Sequence, residues 1–183
     1  WAYWSTGQRE LAQPIADQME KVVTPGSLGA GFTCCLRAWL LQADPANQSG
    51  VLPLYDCARS IAETTGDPGL NLEVRLGLCR YYSGVNNLPT AFLWAEDAVN
   101  ICMRMNYRQF LAIALIERGH IRFLKNDFNG AETDLETGLE IASHLKSNFD
   151  QARASLYLAA LMSVKKKAHA NTAWDQVLHL ILD

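Results

Sequence analysis

The side chains that most often bind metals or act as nucleophiles are scattered along this sequence. Its five cysteines include no C-x-x-C pair, and its four histidines show no H-x-x-x-H spacing. Zinc sites are usually built from closely spaced ligands of this kind, so no metal site is expected. The nucleotide-binding, serine-hydrolase and zinc-protease motifs are also missing from the sequence. We therefore predict a protein that is not an enzyme and that uses no cofactor.

Three short segments need a separate interpretation. "GSLGAG" at 26–31 has the glycines of a phosphate loop, but it follows a predicted helix and lacks the lysine. "KKK" at 165–167 is interpreted as a cationic helix C-terminus, which the helix dipole favours. Cys34 and Cys35 point to helix faces about 100° apart. They are interpreted as buried small apolar residues, with a thiol sensor as the alternative.

The totals exclude several classes of protein. A net charge of −3 over 183 residues gives no electrostatic reason for direct binding to nucleic acid. No apolar run approaches the roughly 20 residues that a membrane span needs. An odd number of cysteines, most of them within apolar helical patterns, argues against disulfides and for a cytoplasmic protein. Because the chain starts at Trp1, we expect it to be a piece of a larger protein.

The elements that position these residues follow a period of 40 residues. Sliding the sequence against itself aligns four rows without an insertion. The clearest columns are Ile61, Ile101, Ile141 and Ile181, then Leu36, Leu76, Ile116 and Leu156, then the small residues Ala58, Ala98 and Gly138. A fixed period of about 20–50 residues is typical of solenoid proteins.

Each row is predicted to contain two helices separated by a polar turn. Apolar residues recur at helical spacing, Gly, Pro, Asn and Asp cluster between them, and strand-like alternation is missing. The predicted helices cover residues 8–23, 30–43, 51–65, 70–83, 89–105, 107–124, 128–145, 150–165 and 171–182. The predicted fold is all-α: an α-solenoid of about four helix-turn-helix repeats plus one extra N-terminal helix.

The second helix of the third row is amphipathic. Its buried stripe is predicted to contain small and apolar residues, namely Phe128, Ala131, Leu135, Gly138, Leu139 and Ala142. Its solvent-facing side is predicted to contain the acidic residues Glu132, Asp134, Glu136 and Glu140. The small residues are expected where neighbouring helices approach closely.

The third row also carries residues that resemble a known family, the tetratricopeptide repeat. The matching residues are Gly119, the "NDF" turn at 126–128, Ala131, Leu135 and Gly138. The second row is similar through Cys79, Tyr82, Ala91, Ala95 and Ala98, and the first more weakly through Val51, Tyr55 and Ala58. The fourth row departs from the pattern, with Asn171 where an alanine belongs. The usual period of that family is about 34 residues.

The longer period resembles the repeats of large bacterial regulators, such as MalT-like and other LuxR-type activators. The resemblance implies a right-handed superhelix and a role in transcription regulation and signal transduction. It also implies that residues 1–183 form one repeat domain. The implied limits are a partial repeat at 1–28 and full repeats at 29–68, 69–108, 109–148 and 149–183.

In the tetratricopeptide family the first helices of the repeats line the concave face. Transferred to this sequence, the resemblance implies a partner-binding face made of Glu73, Arg80, Ile113, His120, Phe123 and Arg153. Arg80 and Arg153 would pair with carboxylates, and Ile113 and Phe123 would give apolar contacts. The expected function is a protein-interaction or scaffold module that binds a peptide, a protein or neighbouring domains of its own chain.

Two alternatives stay open. A small-molecule sensor would use "RYY" at 80–82 and the tryptophans Trp39 and Trp94 as stacking groups. A purely structural scaffold would self-associate into a homo-oligomer through its terminal helices. The sequence does not choose among them, because repeat folds place different ligands on the same framework.

Overall fold

The computed structural model describes residues 9–42 and 45–165. Within these ranges the chain is all-α, with eight α-helices, one short 3-10 helix and no strand, which confirms the predicted class. The α-helices are α1 (Arg9–Val22), α2 (Leu28–Leu41), α3 (Val51–Thr65), α4 (Pro68–Gly84), α5 (Leu88–Met105), α6 (Arg108–Leu124), α7 (Phe128–His144) and α8 (Asn148–Val164). The 3-10 helix, Pro45–Gly50, occupies a segment predicted to be a turn.

The predicted helix limits agree with the observed ones to within two residues for α1 to α8. The predicted helix 171–182, the position of Asn171 and most of the "KKK" segment lie outside the described residues. The chain divides into two compact units, residues 1–81 and residues 82–183. The boundaries predicted for the repeats, and their union in one domain, stay predictions.

A left-handed backbone conformation recurs at regular spacing in the turns. The residues with positive φ are Gly26, Gly66, Asn86, Asn106, Asn126 and Lys146. From Gly66 onward they lie 20 residues apart, so every connection between consecutive helices contains one. Glycine and asparagine tolerate this conformation best, which explains the residue types at all these positions except Lys146.

Most turns also supply a side-chain cap for the next helix. Ser27, Asp67, Asn87 and Asp127 each accept a hydrogen bond from the backbone N–H three residues later, at 3.3, 2.7, 3.4 and 3.0 Å. Such caps satisfy amide groups that have no partner inside the helix. A left-handed residue followed directly by a cap therefore ends one helix and starts the next within two or three residues.

In the first unit, a buried tyrosine fills the space between helices. Tyr55 on α3 is fully buried, and the Gln42 side-chain amide donates a 2.6 Å hydrogen bond to its hydroxyl. Gly77 on α4 leaves room for the ring, since a Cβ at that residue would lie 2.3–2.5 Å from three of its atoms. A second cluster joins α1 to α2 through Ala12, Ala16, Leu36 and Trp39.

In the second unit, α6, α7 and α8 share one apolar cluster. It consists of Ile116, Ala131, Leu135, Ala154, Leu158 and Leu161. Gly138 on α7 lies against α6, where an added Cβ would be 2.8 Å from Ile116 Cγ1 and 3.3 Å from the Ala112 carbonyl oxygen. The prediction that small residues mark close helix contacts is confirmed at this position.

Among the described helices, none is long and apolar enough to cross a membrane.

Candidate functional site

The helices α6 and α8 lie side by side in the second unit. The ring of His120 on α6 stacks on the ring of Tyr157 on α8, with centroids 4.2 Å apart and planes 5° from parallel. The Arg153 guanidinium on α8 also bonds the Glu117 carboxylate on α6. Two contacts of different chemistry thus join the two helices across one surface.

That surface can be defined from the helical period. At 100° per residue, positions three, four and seven apart share one side of a helix. On α6 this side carries Ile113, Glu117, His120 and Leu124, and on α8 it carries Phe149, Arg153, Leu156 and Ala160. We call these eight residues, together with Tyr157, the first-helix face.

The first-helix face combines apolar side chains with an ion pair. Leu124 and Leu156 are 41% and 39% exposed, which is unusual for leucine side chains in the middle or last turn of a packed helix. Ile113 and Phe149 are half-buried beside them. Contiguous exposed apolar surface of this kind often marks a binding site.

The ion pair at the centre of the face is held by the chain itself. The Glu117 carboxylate is almost fully buried and accepts from Arg153. Arg153 Nη1 also lies 3.7 Å from Asp150 Oδ1, and its Cζ is 5.6 Å from the centroid of the Phe149 ring. The Ser147 hydroxyl donates a 2.7 Å hydrogen bond to Asp150. The charge of Arg153 is therefore already compensated by two carboxylates of this chain.

His120 is uncharged near neutral pH in this environment. Burial lowers the pKa of the imidazole below its ordinary value of 6.5, the Glu117 carboxylate opposes that shift, and Arg153 adds to it. A neutral imidazole stacks on Tyr157 without the desolvation cost of a buried cation. The pair thus behaves as an apolar aromatic platform with polar edges.

Three of the six residues predicted for the binding face meet here. Ile113, His120 and Arg153 all belong to the first-helix face. Phe123, the fourth predicted residue of this unit, lies off it: its ring packs beside Phe128 at a centroid distance of 6.1 Å, against the interior cluster. A step of 100° per residue explains the difference, because Phe123 is rotated from Leu124 towards α7.

The other two predicted residues, Glu73 and Arg80, belong to α4 in the first unit. Glu73 is only 2% exposed, so its carboxylate offers no surface for a partner in this structure. Burial raises its pKa to about 7, and the positive charge of the half-buried Arg80 counteracts part of that rise. These two residues interact with each other inside their own unit.

One acidic residue is placed differently from its prediction. Asp134 on α7, assigned above to the solvent-facing side, is 3% exposed. Its carboxylate accepts from Arg118 Nε and Nη2 at 2.8 and 2.7 Å and from Arg122 Nη1 at 2.8 Å. Arg118 in turn lies 3.2 Å from Glu96 on α5. The prediction was wrong because two arginines of the neighbouring helix make burial of this carboxylate favourable.

Sequence reasoning missed several residues of the first-helix face. Glu117, Phe149, Leu156 and Tyr157 were not predicted, although each lies within four residues of one that was. The available signal was the i, i+4 spacing of Glu117 from Ile113, and of Phe149 and Tyr157 from Arg153. Trp39, proposed for stacking on a small molecule, is buried, and Trp94 is half-buried.

The chemistry of this face suits binding. It holds exposed leucines, an aromatic stack and a compensated ion pair, and the described residues contain no cluster of three metal-ligating side chains. Comparison of the chain with models of known protein families finds no match, and comparison with curated proteins finds none either.

Proposed function

We propose that the chain is a right-handed tetratricopeptide-like solenoid of about four helix-turn-helix repeats with one extra N-terminal helix. The regular 20-residue spacing of the left-handed turn residues supports this proposal. The small residues in the 40-residue columns support it too, since Ala58, Ala98 and Gly138 are all buried. Repeats stacked in this way bury a continuous core between neighbours.

We propose further that the protein is an interaction module of a larger bacterial regulatory protein, and that the first-helix face binds a peptide segment with apolar side chains. One observation carries the proposal: exposed Leu124 and Leu156 flank a stacked aromatic pair on two adjacent helices. Because Arg153 and Glu117 compensate each other, apolar contact rather than charge is expected to supply most of the affinity.

The partner is therefore expected to present aliphatic or aromatic anchors in an extended or helical segment. Such segments bind helical grooves by inserting a few side chains spaced along one face. The remaining polar edges of His120 and Tyr157 would orient the backbone of the segment. This recognition mode does not require the peptide to carry a net charge.

Selection from a random peptide library displayed on phage, with the whole chain as bait, tests this function. Peptides enriched on the wild type are measured against Leu156→Asp, which places a charge in the face. Leu93→Asp is the matched control, because Leu93 is 68% exposed on α5 and belongs to no part of the face. Both variants are compared with the wild type by circular dichroism before use.

Binding is expected to weaken at least roughly tenfold in Leu156→Asp and to change less than about twofold in Leu93→Asp, since removal of one buried apolar anchor costs more than about 1.4 kcal/mol. Equal effects of the two substitutions would exclude the first-helix face as the site. Failure to enrich any peptide would count against peptide binding as the function.

A further inference from the structure

Two cysteines from neighbouring helices meet in the first unit. Cys34 on α2 and Cys57 on α3 have their Sγ atoms 3.2 Å apart, and the Cys34 thiol donates to the Cys57 sulfur. The pair lies on one side of the contact between two consecutive helices. Neither residue takes part in the first-helix face, so the pair calls for a separate explanation.

Small side chains bring these two helices close together. Gly31, one turn before Cys34, faces Ile61, one turn after Cys57; a Cβ at Gly31 would lie 3.2 Å from Ile61 Cγ2. Ala58, next to Cys57, is completely buried. The same close approach places the two sulfur atoms within reach of each other, and formation of a bond of about 2.05 Å needs only a small further movement.

We propose that Cys34 and Cys57 are a reversible disulfide-forming dithiol, oxidised by exchange with a small-molecule disulfide such as glutathione disulfide. The other described cysteines are not suited to this chemistry. Cys35, Cys79 and Cys102 are completely buried. Cys35 also points about 100° away from Cys34 around the same helix.

The reaction starts at Cys57, whose side chain is exposed. Its thiolate attacks one sulfur of glutathione disulfide, forms a mixed disulfide and releases one glutathione. The Cys34 thiolate then attacks Cys57 Sγ, forms the protein disulfide and releases the second glutathione. The protein dithiol loses two electrons and two protons, and glutathione disulfide gains both in becoming two glutathione thiols.

The environment of Cys34 assigns it the second step. Burial raises the pKa of its thiol to about 12, and the nearby Cys57 and Glu20 raise it further. A half-buried thiol of this kind reacts slowly with a reagent in solution. A mixed disulfide on Cys57, however, would hold its target sulfur next to Cys34, so ring closure is favoured by proximity.

The disulfide would join α2 to α3 across a loop that contains the 3-10 helix. The two cysteines are 23 positions apart, and closing a loop of this length restricts the unfolded chain. The oxidised first unit is therefore expected to open less often than the reduced one. The modification would act on the stability of one unit through a bond that a reducing environment removes.

Equilibration of the whole chain in buffers of defined glutathione to glutathione-disulfide ratio tests the proposal. Under oxidising ratios the wild type should lose two of its five titratable thiols, counted after unfolding, and two hydrogen atoms in mass. Excess glutathione should restore both. Because Cys34 and Cys35 lie between the same two arginine or lysine cleavage sites, substitutions rather than tryptic peptides alone must distinguish them.

Cys35→Ala is the matched control and should retain the disulfide to Cys57. Cys34→Ser should stop at a mixed disulfide on Cys57, which is heavier by one glutathionyl group. If Cys34→Ser still forms an internal disulfide, or if the wild type carries only the mixed disulfide, the assignment of the pair is wrong. A wild type with five free thiols at every ratio would overturn the proposal as well.

Discussion

At the scale of single residues, the buried carboxylate of Asp134 is the feature that depends most on its partners. Three short hydrogen bonds from Arg118 and Arg122 surround it, and α6 and α7 are joined through these bonds. Asp134→Asn keeps the shape of the side chain and removes the charge. Two arginines would then be left half-buried without their carboxylate, which is a costly arrangement.

We expect Asp134→Asn to lower the free energy of unfolding by roughly 2–4 kcal/mol. Urea denaturation followed by circular dichroism measures this change. Glu136→Gln is the control, because Glu136 is exposed on the same helix and should change stability by less than about 0.5 kcal/mol. Similar losses in both variants would mean that the arginine contacts contribute little.

The misplacement of Asp134 illustrates a limit of sequence reasoning at this scale. Periodicity assigns charged residues to the solvent-facing side of a helix, because burial of a lone charge is unfavourable. Here the compensating charges come from Arg118 and Arg122, on the preceding helix. Sequence spacing within α7 carries no information about them. The apolar stripe of the same helix was predicted well, since Ala131, Leu135 and Ala142 need no polar partner.

At the scale of elements, the turn at Lys146 differs from the others. Its φ is 56°, in the same left-handed region that Gly66 and three asparagines adopt in the equivalent turns. A lysine pays a steric cost there through its Cβ, whereas glycine does not. The side chain of Lys146 is exposed, so its replacement removes little packing.

Lys146→Gly is therefore expected to raise the free energy of unfolding by about 1 kcal/mol. The measurement is chemical denaturation of the whole chain, compared with Lys125→Gly. Lys125 precedes a left-handed asparagine but has a φ of −86°, so glycine there should not stabilise the protein. Stabilisation by both substitutions would show that loss of a positive charge, not backbone conformation, is responsible.

The same turns explain why helix limits could be predicted while part of the regularity was missed. Gly and Asn mark the ends of helices in the sequence, and the limits followed from them to within two residues. The comparison at an offset of 40 concealed the 20-residue spacing of the turns. First and second helices bury different sides, so their apolar residues do not align at 20, although their turn residues do.

At the scale of the whole molecule, the two units contain buried groups that titrate in opposite senses. Glu73 in the first unit has a pKa raised to about 7 from 4.5, chiefly by burial. Between these values the folded state binds a proton that the unfolded state has lost, so stability falls as pH rises. His120 in the second unit has a pKa lowered from 6.5, again chiefly by burial. The unfolded state binds its proton first, so stability falls as pH decreases below 6.5.

Hydrogen exchange followed by mass spectrometry, corrected for intrinsic rates, separates the two effects by location. On going from pH 7.5 to pH 5, we expect peptides of α2 to α4 to become more protected. A shift of this size in Glu73 corresponds to about 3 kcal/mol over its full range. Peptides of α6 and α8 should become less protected over the same interval. The opposite directions cannot arise from a uniform effect of pH on the chain.

Single substitutions assign each effect to its residue. Glu73→Gln should flatten the pH dependence of the first unit and leave that of the second unchanged, and His120→Gln should do the reverse. Glu63→Gln serves as the control for the first, because Glu63 is exposed on α3 and its neutralisation should alter neither profile. If wild-type peptides from both units change in the same direction and neither substitution alters the slopes, burial of these two groups does not control the pH response. A response confined to the substituted unit would establish that each unit carries its own titrating group.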